Sequence, residues 1–486
     1  MSAPTLALHH DDQVRVLGRT MAYKYVVAIV YITALFLDIL DTTIVNVAIP
    51  QLGRQFQSEN AEWIVLGYTL SLAVWIPAAG WLGDRFGTKR VFLFALGSFT
   101  MGSLLCASAQ SMGQLIAFRA LQGVGGGMLT PVGIAMLFRA FPPIERARAA
   151  TIIMVPALVA PALGPVLGGL LVTYADWRWI FIVNVPVGIV AFWFGFRFLR
   201  EHSEPSAGGF DARGFVLSGL ALGLIIFALS EGPRLGWSST PVIATAVIGV
   251  VCAGMLVWVE LTQRWPMLDL RLLGNRIFRQ CNVVSILSIA GFLGLTFVMP
   301  LYLQLLRGLD AFHSGLTTFP QALGVMCSSL IAGRMYSRIG PRRLMAGGFF
   351  AAAVTISMFT RIGLDTNLRL ISAMMLLRGF CMGFAFVPMQ AASYATIAPA
   401  DNGRAASIFS TQRQVGVSFG VAVMASILAS FMSLSQPPQG EAAIQRALTG
   451  YHYAFGVAVL FALAAAVAAL FIRDSEAAST MVAKAR

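Results

Sequence analysis

Asp38 and Asp41 stand three residues apart in ALFLDILDTTIVNVAIP, residues 34–50, and no lysine or arginine occurs between Lys24 and Arg54. Two carboxylates in an apolar run demand a reason. If the run lies in a bilayer, each charge costs about 2.5–3.5 kcal/mol even on the lenient insertion scale. A wet cavity, a cationic partner or a bound proton would relieve that cost. The i, i+3 spacing puts both on one helical face. Close carboxylates with little water resist ionising together, so this pair is suited to hold and release a proton. Arg119, in another apolar run, is the expected partner. Counted inward from Pro50 and Gly113 at about 1.5 Å per residue, Asp41 and Arg119 lie within roughly one helical turn in depth. A plain ion pair joining two helices is the competing reading, although such pairs stabilise poorly compared with apolar packing.

The rest of the chain must supply the elements that position these groups. Of 486 residues, 57% are hydrophobic and 11% charged, against about 25% charged in soluble domains. Apolar runs near the ~20 residues needed to cross a bilayer recur from end to end. The expected fold class is therefore an all-α polytopic membrane protein. Fourteen spans are read, at about 25–49, 62–82, 91–109, 113–138, 149–174, 178–199, 213–231, 240–260, 280–305, 314–335, 343–362, 368–390, 405–432 and 452–472. With the N-terminus inside, and residues at span ends counted with the adjoining loop, the inner segments hold 24 of the 34 Lys and Arg, the outer loops 7, and three (Arg119, Arg378, Arg413) fall deeper in spans. The positive-inside rule then places both termini in the cytoplasm, as expected of a multi-pass protein of the plasma (inner) membrane.

That loop bias accounts for the net charge of +13 without nucleic acid. Five cysteines without CxxC spacing read as packing residues, and no metal site is expected. His9, His10, His202, His313 and His452 all fall in tails or loops, which argues against a membrane-embedded enzyme. No G-x-x-x-x-G-K-[ST] nucleotide motif occurs.

An internal repeat organises the spans. GWLGDRFGTKR (80–90) echoes GRMYSRIGPRR (333–343), and FRALQGVGGG (118–127) echoes LRGFCMGFAF (377–386). The expected organisation is a cytoplasmic tail 1–24, a six-helix bundle 25–199, a two-helix insert with linkers 200–279, a second bundle 280–472 and a tail 473–486. Repeats of this kind mark secondary transporters, with sites near the midplane.

GWLGDRFGTKR resembles the loop signature of the major facilitator superfamily. LDTTIVNVAIP (40–50), RALQGVGGGMLTP (119–131), PALGPVLGG (161–169), WRWIFIVNVPVGI (177–189) and STQRQVGVSFG (410–420) resemble further signatures. Together they resemble the fourteen-span drug:proton antiporter family, of the QacA/EmrB multidrug exporter type. The chain departs from the family pattern at Thr88 and Ala160, and the second loop copy has Ser337 at the acidic position.

The resemblance implies two bundles that rock around a central cavity, with Asp41, Asp38 and Arg119 coupling protons and no cofactor. It implies a gating latch at Gly80, Asp84, Arg85, Gly87 and Lys89, with Glu145 and Arg146 as candidate contacts. It assigns antiport character to Pro161, Gly164, Pro165, Gly168 and Gly169. Tyr31, Tyr68, Trp75, Arg378, Met382, Phe386, Gln390 and Arg413 are candidate cavity residues, since methionine and flat aromatics adapt to varied ligands. The expected function is proton-coupled export of amphipathic small molecules by a monomer. A dedicated exporter of one metabolite or lipid, and an uptake symporter, are the alternatives.

Overall fold

A computed structural model describes residues 13–16, 19–57, 63–204, 208–432 and 438–481. Helices dominate because the apolar runs leave backbone groups no partner but one another. The first set is α1 (Tyr23–Gln55), α2 (Trp63–Phe86), α3 (Thr88–Ser108), α4 (Met112–Ala140), α5 (Arg146–Tyr174), α6 (Trp179–Ile182) and α7 (Asn184–Phe198). The insert supplies α8 (Ala212–Leu235) and α9 (Thr240–Thr262). The second set is α10 (Arg276–Leu301), α11 (Ala311–Thr318), α12 (Pro320–Ile339), α13 (Pro341–Phe359), α14 (Leu368–Ser393), α15 (Asn402–Ala429) and α16 (Glu441–Leu470).

Every expected span coincides with a helix or a broken pair, the sixth being split into α6 and α7 and the tenth into α11 and α12. Among the described residues, eleven segments are long and apolar enough to cross a membrane. Helices α5, α13 and α15 fall outside that eleven. Arg342 and Arg343 dilute the first turn of α13, and α15 carries a run of Ser, Thr, Gln and Arg.

Within the first set α1 packs on α5, and α4 packs on α2 and α3. Within the second, α12 packs on α14, α13 on α14 and α16, and α10 on α15 and α16. Across the seam α2 meets α15 and α5 meets α12, while α8 lies against both α2 and α15. The seam is closed at the end carrying the basic loops, called the basic end below. There Tyr394, Ile397, Ala405, Ala406 and Ile408 of the second set join a core built from α1 to α4.

Two segments read as tails are partly ordered. Residues Gln13–Val16 (β1) and Arg19–Ala22 (β2) form an antiparallel hairpin leading into α1. Asp474–Thr480 forms a 3₁₀ helix folded back on the basic end, with the Tyr336 and Thr480 hydroxyls 2.6 Å apart.

Candidate functional site

Asp41 and Arg119 meet as the sequence predicts, 2.5 Å apart and both inaccessible to solvent. Two amides complete the cage. Gln122 Nε2 and Asn184 Nδ2 donate to Asp41 Oδ1 at 3.1 and 2.9 Å. The break between α6 and α7 places Asn184 at the start of α7, level with the carboxylate. Gln122 lies one turn beyond Arg119 on α4 and also donates to Ser103 Oγ at 2.7 Å. Arg119 Nε donates to the Ile64 carbonyl at 3.2 Å, and its guanidinium lies 4.2 Å from the Tyr68 ring centre.

Asp38 is 7% exposed and has a sparser environment. The Tyr68 hydroxyl donates to its Oδ1. Glycines make this arrangement possible. A Cβ at Gly126 would overlap the Tyr68 phenol and stand 3.2 Å from Asp38 Oδ1. The glycine run of α4 therefore opens the space in which Tyr68 reaches Asp38. Arg413, from α15 across the seam, lies near enough to act electrostatically on both Asp38 and Tyr31. Beside it, Ser410 Oγ, Thr411 Oγ1 and both amide atoms of Gln412 are buried without a partner among the described residues. This polar strip and the two amides around Asp41 are the residues that sequence reasoning missed. STQRQVG carried the first signal, whereas Gln122 and Asn184 are neutral and give little warning.

The loop after α2 meets the second set through α15 and not through the candidate contacts Glu145 and Arg146. Asp84 is buried against α15, where a Cβ at Gly403 would stand 2.8 Å from its Oδ1. Gly80 N donates to Ser407 Oγ at 2.8 Å. Gly87 adopts φ 100°, a backbone region that favours glycine. The Glu201 carboxylate sits beneath it and accepts from Lys89 N and Arg90 N at 3.0 and 3.2 Å, capping α3. Arg85 is exposed, and Lys89 Nζ lies 5.5 Å from the Phe196 ring centre. Glu145 is not a latch contact, because Lys24 Nζ holds it at 2.7 Å. Arg146 stands instead where α5 packs on α12 and α14, next to Ala147 in a cluster with Tyr336.

The second loop copy shows the same design. Gly340 has φ 91°, and Asp474 Oδ1 accepts from Arg342 N at 2.9 Å. Asp474 thus does for α13 what Glu201 does for α3.

Helix α5 runs unbroken through Pro161 and Pro165; the Pro165 side chain lies outside the described residues. Gly164 packs against Thr43 of α1, Gly168 is buried, and Gly169 faces open space. In the set of candidate cavity residues, Tyr68 bonds Asp38, Tyr31 lies about two turns from Asp38 on the same face of α1, and Gln390 is buried in α14. Trp75 turns toward the insert, its ring 5.3 Å from Phe215. Met382 and Phe386 lie in the packed core of the second set, Phe386 5.2 Å from Phe292. All three come from helices apolar on every side, where periodicity does not reveal the facing direction. Arg378 donates to the Phe292 carbonyl at 2.6 Å and to Gln321, and its hydrogen-bond partners among the described residues are neutral.

An all-helical apolar bundle with repeated halves and buried charge at their seam defines a membrane transporter. The Major Facilitator Superfamily model matches residues 31–421 and, in an overlapping match, 281–485. The chain belongs to this superfamily, whose members are transporters and not enzymes.

It is 35% identical over 397 residues to the "Multidrug resistance protein B homolog" of Mycobacterium tuberculosis, covering 80% of this chain and 73% of that one. It is 31% identical over 399 residues to the "Putative multidrug resistance protein MdtD" of Yersinia pestis, covering 82% and 85%. In fold it is similar to the human organic anion transporter MFSD10, with TM-score 0.63, 18% identity and coverage of 90% and 99%. It is also similar to the proton:xylose symporter XylE, with TM-score 0.60, 13% identity and coverage of 90% and 95%.

Proposed function

We propose that the protein exports amphipathic small molecules in exchange for protons, with Asp38 as the exchanging group and Asp41–Arg119 as its fixed electrostatic frame. The observation that carries this reading is the unequal coordination of the two carboxylates. Asp41 receives donors from a guanidinium and two amides, an inventory that fills its acceptor sites and fixes it in place. Asp38 receives one phenol and looks across the seam at Arg413. An ionised Asp38 attracts Arg413 and draws the halves together. A protonated one releases that attraction, and a cationic substrate group competes with Arg413 for the same carboxylate. Occupancy by proton or substrate thereby biases which end of the seam opens.

The names of the curated relatives support drug export, and the loop bias supports an inner membrane with both termini cytoplasmic. A proton moving down a 100 mV potential supplies about 2.3 kcal/mol, besides any pH gradient. The test is ethidium uptake into inverted vesicles under an imposed pH gradient, acid inside. Asp38→Asn is expected to abolish the gradient-driven component while retaining ethidium counterflow. Full proton-driven transport by Asp38→Asn would overturn the assignment.

A further inference from the structure

Arg146 opens α5 at the basic end, is 4% exposed, and finds no partner for Nε or Nη1 among the described residues. Its sequence neighbour Glu145 is occupied by Lys24. Among the described residues no carboxylate lies within ion-pair distance of Arg146. The guanidinium also stands at the positive end of the helix dipole, where an anion is favoured. A buried cation with no counter-charge at the wrong helix end is destabilising on every count, so packing alone does not explain it.

Its surroundings suggest a task. Tyr336 of the second set shares a packed cluster with Ala147, the next residue of α5, and α14, whose C-cap is Tyr394, packs on α5. Tyr394 stacks on Phe138 of α4 at 4.5 Å, and its hydroxyl is buried without a partner among the described residues. Tyr31 belongs to the same core as Tyr394; its ring lies on Gly133 of α4, and its hydroxyl likewise has no partner among the described residues. Asp38 lies about two turns further along the same face of α1, beside Gly126 of α4. Asp38, Tyr31, Tyr394 and Arg146 thus form a polar column through apolar packing, running from the carboxylate to the basic end. Buried polar groups of this kind are ordinarily satisfied by water.

We propose that Arg146 is an electrostatic stop, which prevents protons on Asp38 from leaking to the basic end while the seam there is closed. A hydrated proton on the column approaches an uncompensated guanidinium in a poorly screened setting, where like charges repel strongly. When the basic end opens, α12 and α14 leave α5, water reaches Arg146, and the proton passes from the Asp38 carboxyl to bulk water. The inference rests on proton exchange at Asp38.

The test measures proton leak without substrate. Purified protein is placed in proteoliposomes enclosing a pH dye, under a potassium diffusion potential set with valinomycin. Arg146→Gln is expected to raise the leak at least about tenfold, which corresponds to about 1.36 kcal/mol of lost repulsion, and Arg146→Lys is expected to stay near wild type. Lys24→Gln leaves Arg146 intact but frees Glu145 to neutralise it, and is expected to leak more than wild type. Wild-type leak in both Arg146→Gln and Lys24→Gln, or equal leak in Arg146→Gln and Arg146→Lys, would overturn the inference alone. If wild type with ethidium moves no protons at all, the proton-exchange reading fails and takes this inference with it.

Discussion

Arg119 and Arg378 occupy matching places in the two halves, yet only Arg119 faces a carboxylate. Both are fully buried, both donate to a backbone carbonyl of a neighbouring helix, and both lie over an aromatic ring. The shared part of the design fixes helices, and the part confined to Arg119 carries charge. Replacing Arg119 by Met strands Asp41 and should destabilise the protein by about 3–5 kcal/mol. Arg378→Met removes a buried cation without orphaning an anion, so its stability should change little or improve. Thermal unfolding in detergent separates the two; equal losses would refute the distinction.

Gly126→Ala is expected to push the Tyr68 phenol away from Asp38, because the new methyl occupies its place. Overpacking should cost about 1–3 kcal/mol, leaving a folded protein with weakened proton coupling. The comparison is gradient-driven uptake into inverted vesicles against counterflow in the same vesicles. Loss of both to the same extent would mean that Tyr68 only packs.

At the closed seam Gly80 touches the Gly403 backbone with no room for a side chain. Gly80→Val should wedge α2 from α15 and favour opening at the basic end. A Ser407→Cys reporter should then react faster with a maleimide added from that side. Unchanged labelling would show that the contact is incidental to gating.

The two caps give a paired prediction. Glu201→Gln and Asp474→Asn each weaken the charge on a helix N-terminus after a positive-φ glycine. Each should lower stability by about 0.5–2 kcal/mol, read as lower melting temperatures in detergent. With the caps in different halves, the losses should add in the double variant.

Charge was the most legible feature of the sequence. Asp38, Asp41 and Arg119 stood out because ionised groups are costly in apolar runs, and the Asp41–Arg119 contact followed from helix geometry. The neutral cage of Gln122 and Asn184 gave no such warning. Arg413 was visible as a misplaced cation, but its neighbour Asp38 lies far away in sequence, and only the meeting of halves joins them. The facing direction of Trp75, Met382 and Phe386 was not legible, because the helices that carry them are apolar all round. Glu201 and Asp474 were passed over inside segments read as linker and tail, although each follows the last helix of its own half.

That shared position has a mechanical consequence. Glu201 moors the end of α7 to the start of α3, and Asp474 moors the end of α16 to the start of α13. Each half is strapped shut at its basic end by its own trailing chain. The hinge loops cannot flex alone, so torque applied at Gly80 or Gly403 must turn a whole half as one solid lever.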